Sequence, residues 1–228
     1  MFYFEGARKP NFSGCKKINY DDYWLKRGFA INHKLKEREK IILDWIKAGS
    51  KVMDVGCGNS LLPVKIKAKG CAVAVADISK IVLAGYEPYG IKGEIINLEE
   101  FAAGQWREKF DYIILSEVLE HLKNPEEIVS ELKTRARYLI ITVPNSAYYR
   151  YRTHLMFNGR FFTQWALHPS EHLRYWSHLD FLDWLAALSL KVIGCRSANG
   201  LTVGPAKLFN FWKNLFGNQI CYLVETEQ

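Results

Sequence analysis

From residue 50 onward, short unbroken apolar runs alternate with stretches whose apolar side chains recur every three or four positions. "KVMDV" (51–55), "CAVAVAD" (71–77), "GEIINL" (93–98), "FDYIILS" (110–116) and "RYLIITVPN" (137–145) read as five strands. Between them, "LLPVKIKAKG", "SKIVLAGYEPYG", "EEFAAGQWREK" and "NPEEIVSELKTRA" read as helices, with Gly70 as a stop, Ser79 as an N-cap and Pro125 in a first turn. Strands that are apolar along their whole length are buried on both faces. The pattern therefore predicts an α/β, Rossmann-like fold: a seven-stranded, mostly parallel sheet with helices on both faces. Residues 20–47 add one or two helices, stopped by Gly49. Residues 179–190 add another helix, and "LKVIGCRS" (190–197) and "QICYLVE" (219–225) supply the last two strands. Residues 145–178, rich in aromatics and His, break the alternation.

Composition narrows the class without naming a function. The chain has 228 residues, 49% apolar and 24% charged, an ordinary globular mix that one core can serve. No apolar run approaches the length that crosses a bilayer, and "MFYFEGARKP" lacks the layout of a secretory signal, so a cytoplasmic protein is expected. Five cysteines without a C-x-x-C pair argue against a disulfide framework or a zinc knuckle. The net charge of +7 favours an anionic partner, but the basic residues are dispersed.

The chemistry concentrates in "DVGCGNS" after the first strand. In open α/β sheets ligands bind beyond the carboxyl ends of the strands, where the winding reverses. A phosphate-binding loop needs Lys and then Ser or Thr after its second glycine, and Asn59-Ser60-Leu61 excludes it. A dinucleotide loop wants a third glycine where Leu61 stands. The run Val52-Met53-Asp54-Val55-Gly56-Cys57-Gly58 instead resembles the first motif of the class I S-adenosylmethionine (SAM) methyltransferases, with Ser60 in place of that family's usual third glycine. The resemblance covers about residues 45–145. It implies SAM as cofactor, with Gly56 and Gly58 beside its methionine part, Asp54 near its ammonium and Asp77 on both ribose hydroxyls. Ile78 belongs to the same site. Asn97 would bond the adenine amine, Leu98 would cover the ring, and the backbone of Ser116 would face the SAM amine.

"SEVLEHL" (116–122) holds a second constellation. On a helix, Glu117, Glu120 and His121 share nearly one face, where they suit a divalent metal or local hydrogen bonding at the cofactor pocket. Glu-x-x-Glu-His also resembles UbiG-like quinone O-methyltransferases and small-RNA 3′-terminal 2′-O-methyltransferases. The RNA group brings a further His from after the fifth strand; His168 and His172 are the possibilities here, and "HLRYW" favours His172. The expected metal ligands are thus Glu117, Glu120, His121 and His172, and the expected catalytic residues His121 and Glu117. A hydroxyl acceptor gains from such a base or metal, which favours O-methylation.

The stretch 145–178 reads either as a second small core or as a lid whose Arg150, Arg152, Arg160 or Arg174 meets an anion. A small anionic or aromatic acceptor is expected, nucleic acid is less favoured, and the oligomeric state is open. The chain also looks like MetW. MetW-type chains, however, carry Ser-Gln and an apolar stretch where this one has Ser116-Glu117 and Glu120-His121, a departure that points away from MetW and toward an active enzyme. The alternative is a MetW-like, non-catalytic or regulatory partner protein. The expected organisation is one methyltransferase domain over 1–228: an N-terminal helical segment (1–48), a cofactor-binding core (49–144), an insert or lid (145–178) and the C-terminal part of the sheet (179–228).

Overall fold

The computed structural model describes residues 19–100, 106–159 and 172–226. Seven strands form one sheet in the spatial order β3 (Lys92–Ile95), β2 (Ala72–Asp77), β1 (Lys51–Val55), β4 (Phe110–Ser116), β5 (Ala136–Pro144), β9 (Gln219–Glu225), β6 (Lys191–Ala198). The first five are parallel, whereas β9 runs antiparallel between β5 and β6. The chain winds outward through β1, β2 and β3, then returns past β1 to lay down β4 and β5. The winding reverses between β1 and β4, which opens a crevice at their carboxyl ends.

Alternate side chains of each strand feed two cores, as the period of two requires. Val52 of β1, Ile114 of β4 and Ile140 of β5 pack with Ile42 and Ile46 from α2 (Glu37–Trp45) and its end, and with Leu62 and Ile66 of α3 (Leu62–Ala68). Met53, Val55, Ile113, Leu115, Leu139 and Ile141 face the other way. They pack with Ile128, Val129 and Leu132 of α5 (Pro125–Leu132), and with Phe181 and Leu185 of α7 (His178–Ala187). Each such aliphatic side chain contributes about 1.5–3 kcal/mol of burial. The doubly buried strands therefore fix both helical layers. Among the described residues, no helix is long and apolar enough to cross a membrane.

Several expected elements are shorter or different. α2 ends at Trp45 with Ile46 already extended, so Gly49 sits in the following turn and does not cap the helix. The expected helix over 79–90 is α4 (Lys80–Ala84) and a separate 3-10 turn at Glu87–Tyr89, because Pro88 has no N–H to continue an α-helical ladder. Residues 98–100 form a 3-10 turn and 106–109 are irregular, while 101–105 of the expected helix lie outside the described residues. "SEVLEHL" is not an α-helix. It holds a 3-10 turn at Leu119–His121, and Glu117 before it sits in left-handed backbone at φ 59°. The irregular stretch 145–178 contains α6 (Tyr149–Asn158). Two pieces went unforeseen: a hairpin of β7 (Thr202–Val203) with β8 (Ala206–Lys207), and the short helix α8 (Lys213–Phe216). N-terminal to α2 lies α1 (Tyr20–Arg27), capped by Asn19.

Candidate functional site

The loop between β1 and α3 is built to be held still. Gly56 and Gly58 adopt φ 68° and 51°, which side chains resist. A Cβ on Gly56 would stand 2.6 Å from Val118 Cγ2, so the loop packs directly on the residues after β4. The buried Tyr86 donates its hydroxyl to carbonyls of the loop, at 2.7 Å to Ser60 and 3.1 Å to Gly58.

Asp77, at the end of β2, completes that loop. Its Oδ2 accepts the Gly58 N–H at 3.0 Å and its Oδ1 accepts the Ser79 N–H at 2.9 Å. Each carboxylate oxygen has a further acceptor site, so the oriented group can still take two hydroxyl hydrogens. Burial raises its pKa, against the lowering by those N–H groups. Asp54 is 2% exposed, and burial, then the carboxylates of Glu39 and Asp77, lift its pKa well above the ordinary 3.8. Two buried acids at the ends of β1 and β2 form a donor set suited to a cation and a sugar diol, which fits the ammonium and ribose of SAM. Ile78 follows at 38% exposure. Asn97 Oδ1 accepts the Glu99 N–H at 3.1 Å. Leu98 lines a small cavity with Leu122 and Ile128, on the side of α5.

The second constellation splits. Glu117 turns toward the far strands: Oε1 accepts from the Thr142 hydroxyl at 3.2 Å and Oε2 from Gln219 Nε2 at 2.8 Å. Ligand atoms of Glu120, His121 and His172 instead lie within 4.8 Å of one another. The His121 and His172 rings meet edge to face, centroids 4.8 Å apart. Glu120 is 1% exposed, and among the described residues neither of its carboxylate oxygens has a hydrogen-bond partner. Burial, then the charge of Glu117, push its pKa well above 4.5. Burial, with His121 adding to it, lowers the His172 pKa to about 4, so at neutral pH its ring offers a lone pair. The Glu120 carbonyl accepts from the N–H groups of Leu173 (2.7 Å) and Arg174 (3.1 Å), which docks the His172 segment onto the turn. An orphaned buried carboxylate beside two imidazoles fits a metal ion. The expected four-ligand set reduces here to three residues, without the Glu117 carboxylate. His168 and Arg160 lie outside the described residues.

The described part of 145–178 serves packing as well as the crevice. Trp176 joins Phe181 and Trp184 at the main core, and Tyr148, Tyr149 and Tyr151 cluster edge to face. Arg174 donates to the Lys123 carbonyl, and Arg152 Nε to the Ala147 carbonyl at 2.5 Å.

Sequence reasoning missed two residues of α2. Glu39, 2% exposed, accepts from Ser60 Oγ at 2.9 Å and so ties α2 to the glycine loop. Arg38 reaches Ser116 Oγ at 3.3 Å. The signal available was the charged "EREK" at the start of an otherwise apolar helix.

Comparison with known proteins agrees with the architecture. A family model described as "Methionine biosynthesis protein MetW" matches residues 36–224. The bifunctional methionine biosynthesis protein MetXA/MetW of Rhodopirellula baltica is 27% identical over 175 residues, 68% of this chain and 27% of that protein. A ubiquinone biosynthesis O-methyltransferase of Ralstonia nicotianae is 31% identical over 110 residues, 44% of this chain and 46% of that protein. The chain thus spans less than half the length of either curated relative. Magnesium protoporphyrin IX methyltransferase from Synechocystis PCC 6803, solved with bound SAH, superposes with a TM-score of 0.60 at 15% identity, over 91% of this chain and 98% of that one. At that identity the likeness establishes a methyltransferase fold.

Proposed function

This chain belongs to the family described as methionine biosynthesis protein MetW, and from that premise we propose that it is a SAM-dependent methyltransferase acting on oxygen of a small anionic or aromatic acceptor. The departure at Glu117 and Glu120-His121 is therefore a departure within the family, not away from it. The observation that carries the reading is the latch between the Gly58 N–H and Asp77, which prepares a glycine loop and a carboxylate together. The named O-methyltransferase relative and the SAH-bound neighbour support the same cofactor.

Bound SAM would supply an electrophilic sulfonium methyl for in-line displacement. The chain's part is alignment. Asp77 holds the ribose, Asp54 faces the ammonium, Gly56 and Gly58 keep the methionine end free of side chains, and Ile78, Asn97, Leu98 and Ser116 line the rest. Glu120, His121 and His172 would hold a divalent cation. One carboxylate with two imidazoles suits a first-row transition ion such as Zn2+ better than Mg2+, which prefers all-oxygen sites. That ion would supply the charge that lowers the pKa of an acceptor hydroxyl. His121 is the base that takes the acceptor proton, and Glu117, bonded to Thr142 and Gln219, braces the turn after β4 that carries it.

A second reading draws on the relative that joins MetXA and MetW in one polypeptide: a non-catalytic or regulatory partner with a methyltransferase fold. Replacing Glu117, Glu120 and His121 together would abolish turnover in an enzyme and leave a partner complex intact. The test of the first reading is a screen of acceptor pools with labelled SAM, with and without chelator. Label transferred to a hydroxyl, lost in chelator and restored by a divalent ion, supports it. Transfer to carbon or an amine overturns the oxygen assignment.

A further inference from the structure

Two stretches of chain start from the edge of the sheet where the crevice opens. β5 is parallel to β4, and β9 is antiparallel to both β5 and β6, so β5 and β6 end at that same edge. Residues 145–159 follow β5, residues 199–218 follow β6, and the two pack on each other. Asn145 Nδ2 donates to the Gly217 carbonyl at 2.7 Å and Arg152 Nη2 to the Asn214 carbonyl at 3.4 Å. The Tyr149 and Phe216 rings stand 6.2 Å apart, and Phe216 meets Trp212 edge to face at 6.0 Å.

Two properties coincide on this surface. It is apolar where it protrudes. Phe211 is 84% exposed and Trp212 55%, in the turn that joins a 3-10 helix (Leu208–Asn210) to α8. Val203, 60% exposed, stands in the hairpin tied to that helix by the bond from the Leu208 N–H to the Leu201 carbonyl at 3.0 Å. It is also cationic, since neither 145–159 nor 199–218 contains an Asp or a Glu. Lys207 is paired with Glu37 from α2 at 3.6 Å. Among the described residues, Arg150, Arg152 and Lys213 make no ion pair. Arg150 lies over the Tyr149 ring, and Lys213 directly follows Trp212.

Neighbouring large apolar side chains that project into water mark a contact surface. Projecting aromatics beside uncompensated cations match the boundary of an anionic bilayer, where rings enter the headgroup region and Lys and Arg meet lipid phosphates. A base-stacking site needs rings throughout, and Val203 offers none. We propose that the Phe211–Trp212 turn, with Arg150, Arg152 and Lys213 beside it, docks this protein on an anionic lipid surface. The docking is peripheral and turns the edge that carries the crevice toward the bilayer. It holds whichever acceptor the crevice takes.

The test is cosedimentation of the full chain with vesicles of phosphatidylcholine alone and of phosphatidylcholine mixed equally with phosphatidylglycerol. The unaltered protein is expected to sediment with the anionic vesicles, less so as salt is added, and weakly with the neutral ones. Phe211→Ser with Trp212→Ser should lower the partition constant at least about tenfold. Replacing Arg150, Arg152 and Lys213 together by Gln should lower it about tenfold to a hundredfold on anionic vesicles and little on neutral ones. Thermal melts show that each variant is folded, and Phe211→Ser alone decides if the double variant is not, because that side chain projects into solvent. No binding to anionic vesicles, or equal binding by the unaltered protein and the folded variants, overturns the proposal. A gel shift with a single-stranded RNA runs beside it; retention of the RNA through these residues without vesicle binding overturns the lipid in favour of nucleic acid.

Discussion

Gly58 and Asp77 are joined by one hydrogen bond, backbone N–H to Oδ2 at 3.0 Å, so the loop after β1 and the acid after β2 are a single device. Asp77→Ala removes both the ribose acceptor and the latch. Hydrogen bonds to a charged group contribute about 1.5–3 kcal/mol each, so S-adenosylhomocysteine affinity should fall by about a hundredfold or more. The melting temperature should move little, because a buried carboxylate with a raised pKa is lost along with its bonds. Calorimetry beside thermal melts checks both halves.

Gly56 cannot carry a side chain. Its φ of 68° and the 2.6 Å approach of Val118 Cγ2 act together against Gly56→Ala. Left-handed strain and overpacking should destabilise the protein by about 2–4 kcal/mol. Gly56→Ala with Val118→Ala should recover part of that loss and leave the backbone strain. Denaturant melts of the single and double variants measure the split, and no recovery would contradict the packing account.

Asp54 sets a pH dependence. Its folded pKa lies above the ordinary 3.8 because it is buried beside Glu39 and Asp77. An acid shifted upward contributes stability below its unfolded pKa and loses it as pH rises through the folded value. Asp54→Asn should therefore melt higher than the unaltered protein at neutral pH, with the gap closing toward about pH 4. The same variant should bind S-adenosylhomocysteine more weakly. In the unaltered protein, at pH values below the folded pKa of Asp54, that binding should release a proton as the ammonium arrives, read from calorimetry in buffers of different ionisation enthalpy.

Glu120 is costly to keep without a cation. Its two oxygens, without a hydrogen-bond partner among the described residues, predict that Glu120→Gln raises the stability of the metal-free protein and lowers Zn2+ affinity at least tenfold. Competition with a chromophoric chelator measures the affinity. His172→Ala should lower it similarly, and Glu117→Gln should lower it little, since that carboxylate faces Thr142 and Gln219. Equal Zn2+ affinity in all three variants would remove the metal from the site.

The strands were the most legible part of the sequence. "FDYIILS" emerges as β4 residue for residue, because an unbroken apolar run buried on both faces leaves little choice of register or length. The Glu-x-x-Glu-His motif was legible as chemistry and not as geometry. Helical spacing assumes helical backbone, and Glu117 at φ 59° turns its carboxylate away from the group that Glu120, His121 and His172 form. Arg38 and Glu39 were silent because their meaning lies in partners far along the chain, Ser116, Gln219 and Ser60, that only the folded sheet brings within reach. A charged turn at the start of a helix looks the same whether it faces water or a cofactor.

The central claim is that the loop after β1, latched to Asp77, is a SAM site. Titration of the unaltered protein with S-adenosylhomocysteine tests it most directly. Saturable one-to-one binding, abolished or weakened about a hundredfold in Asp77→Ala, is the predicted result. No binding at millimolar ligand, or equal affinity in the Asp77→Ala variant, would contradict it.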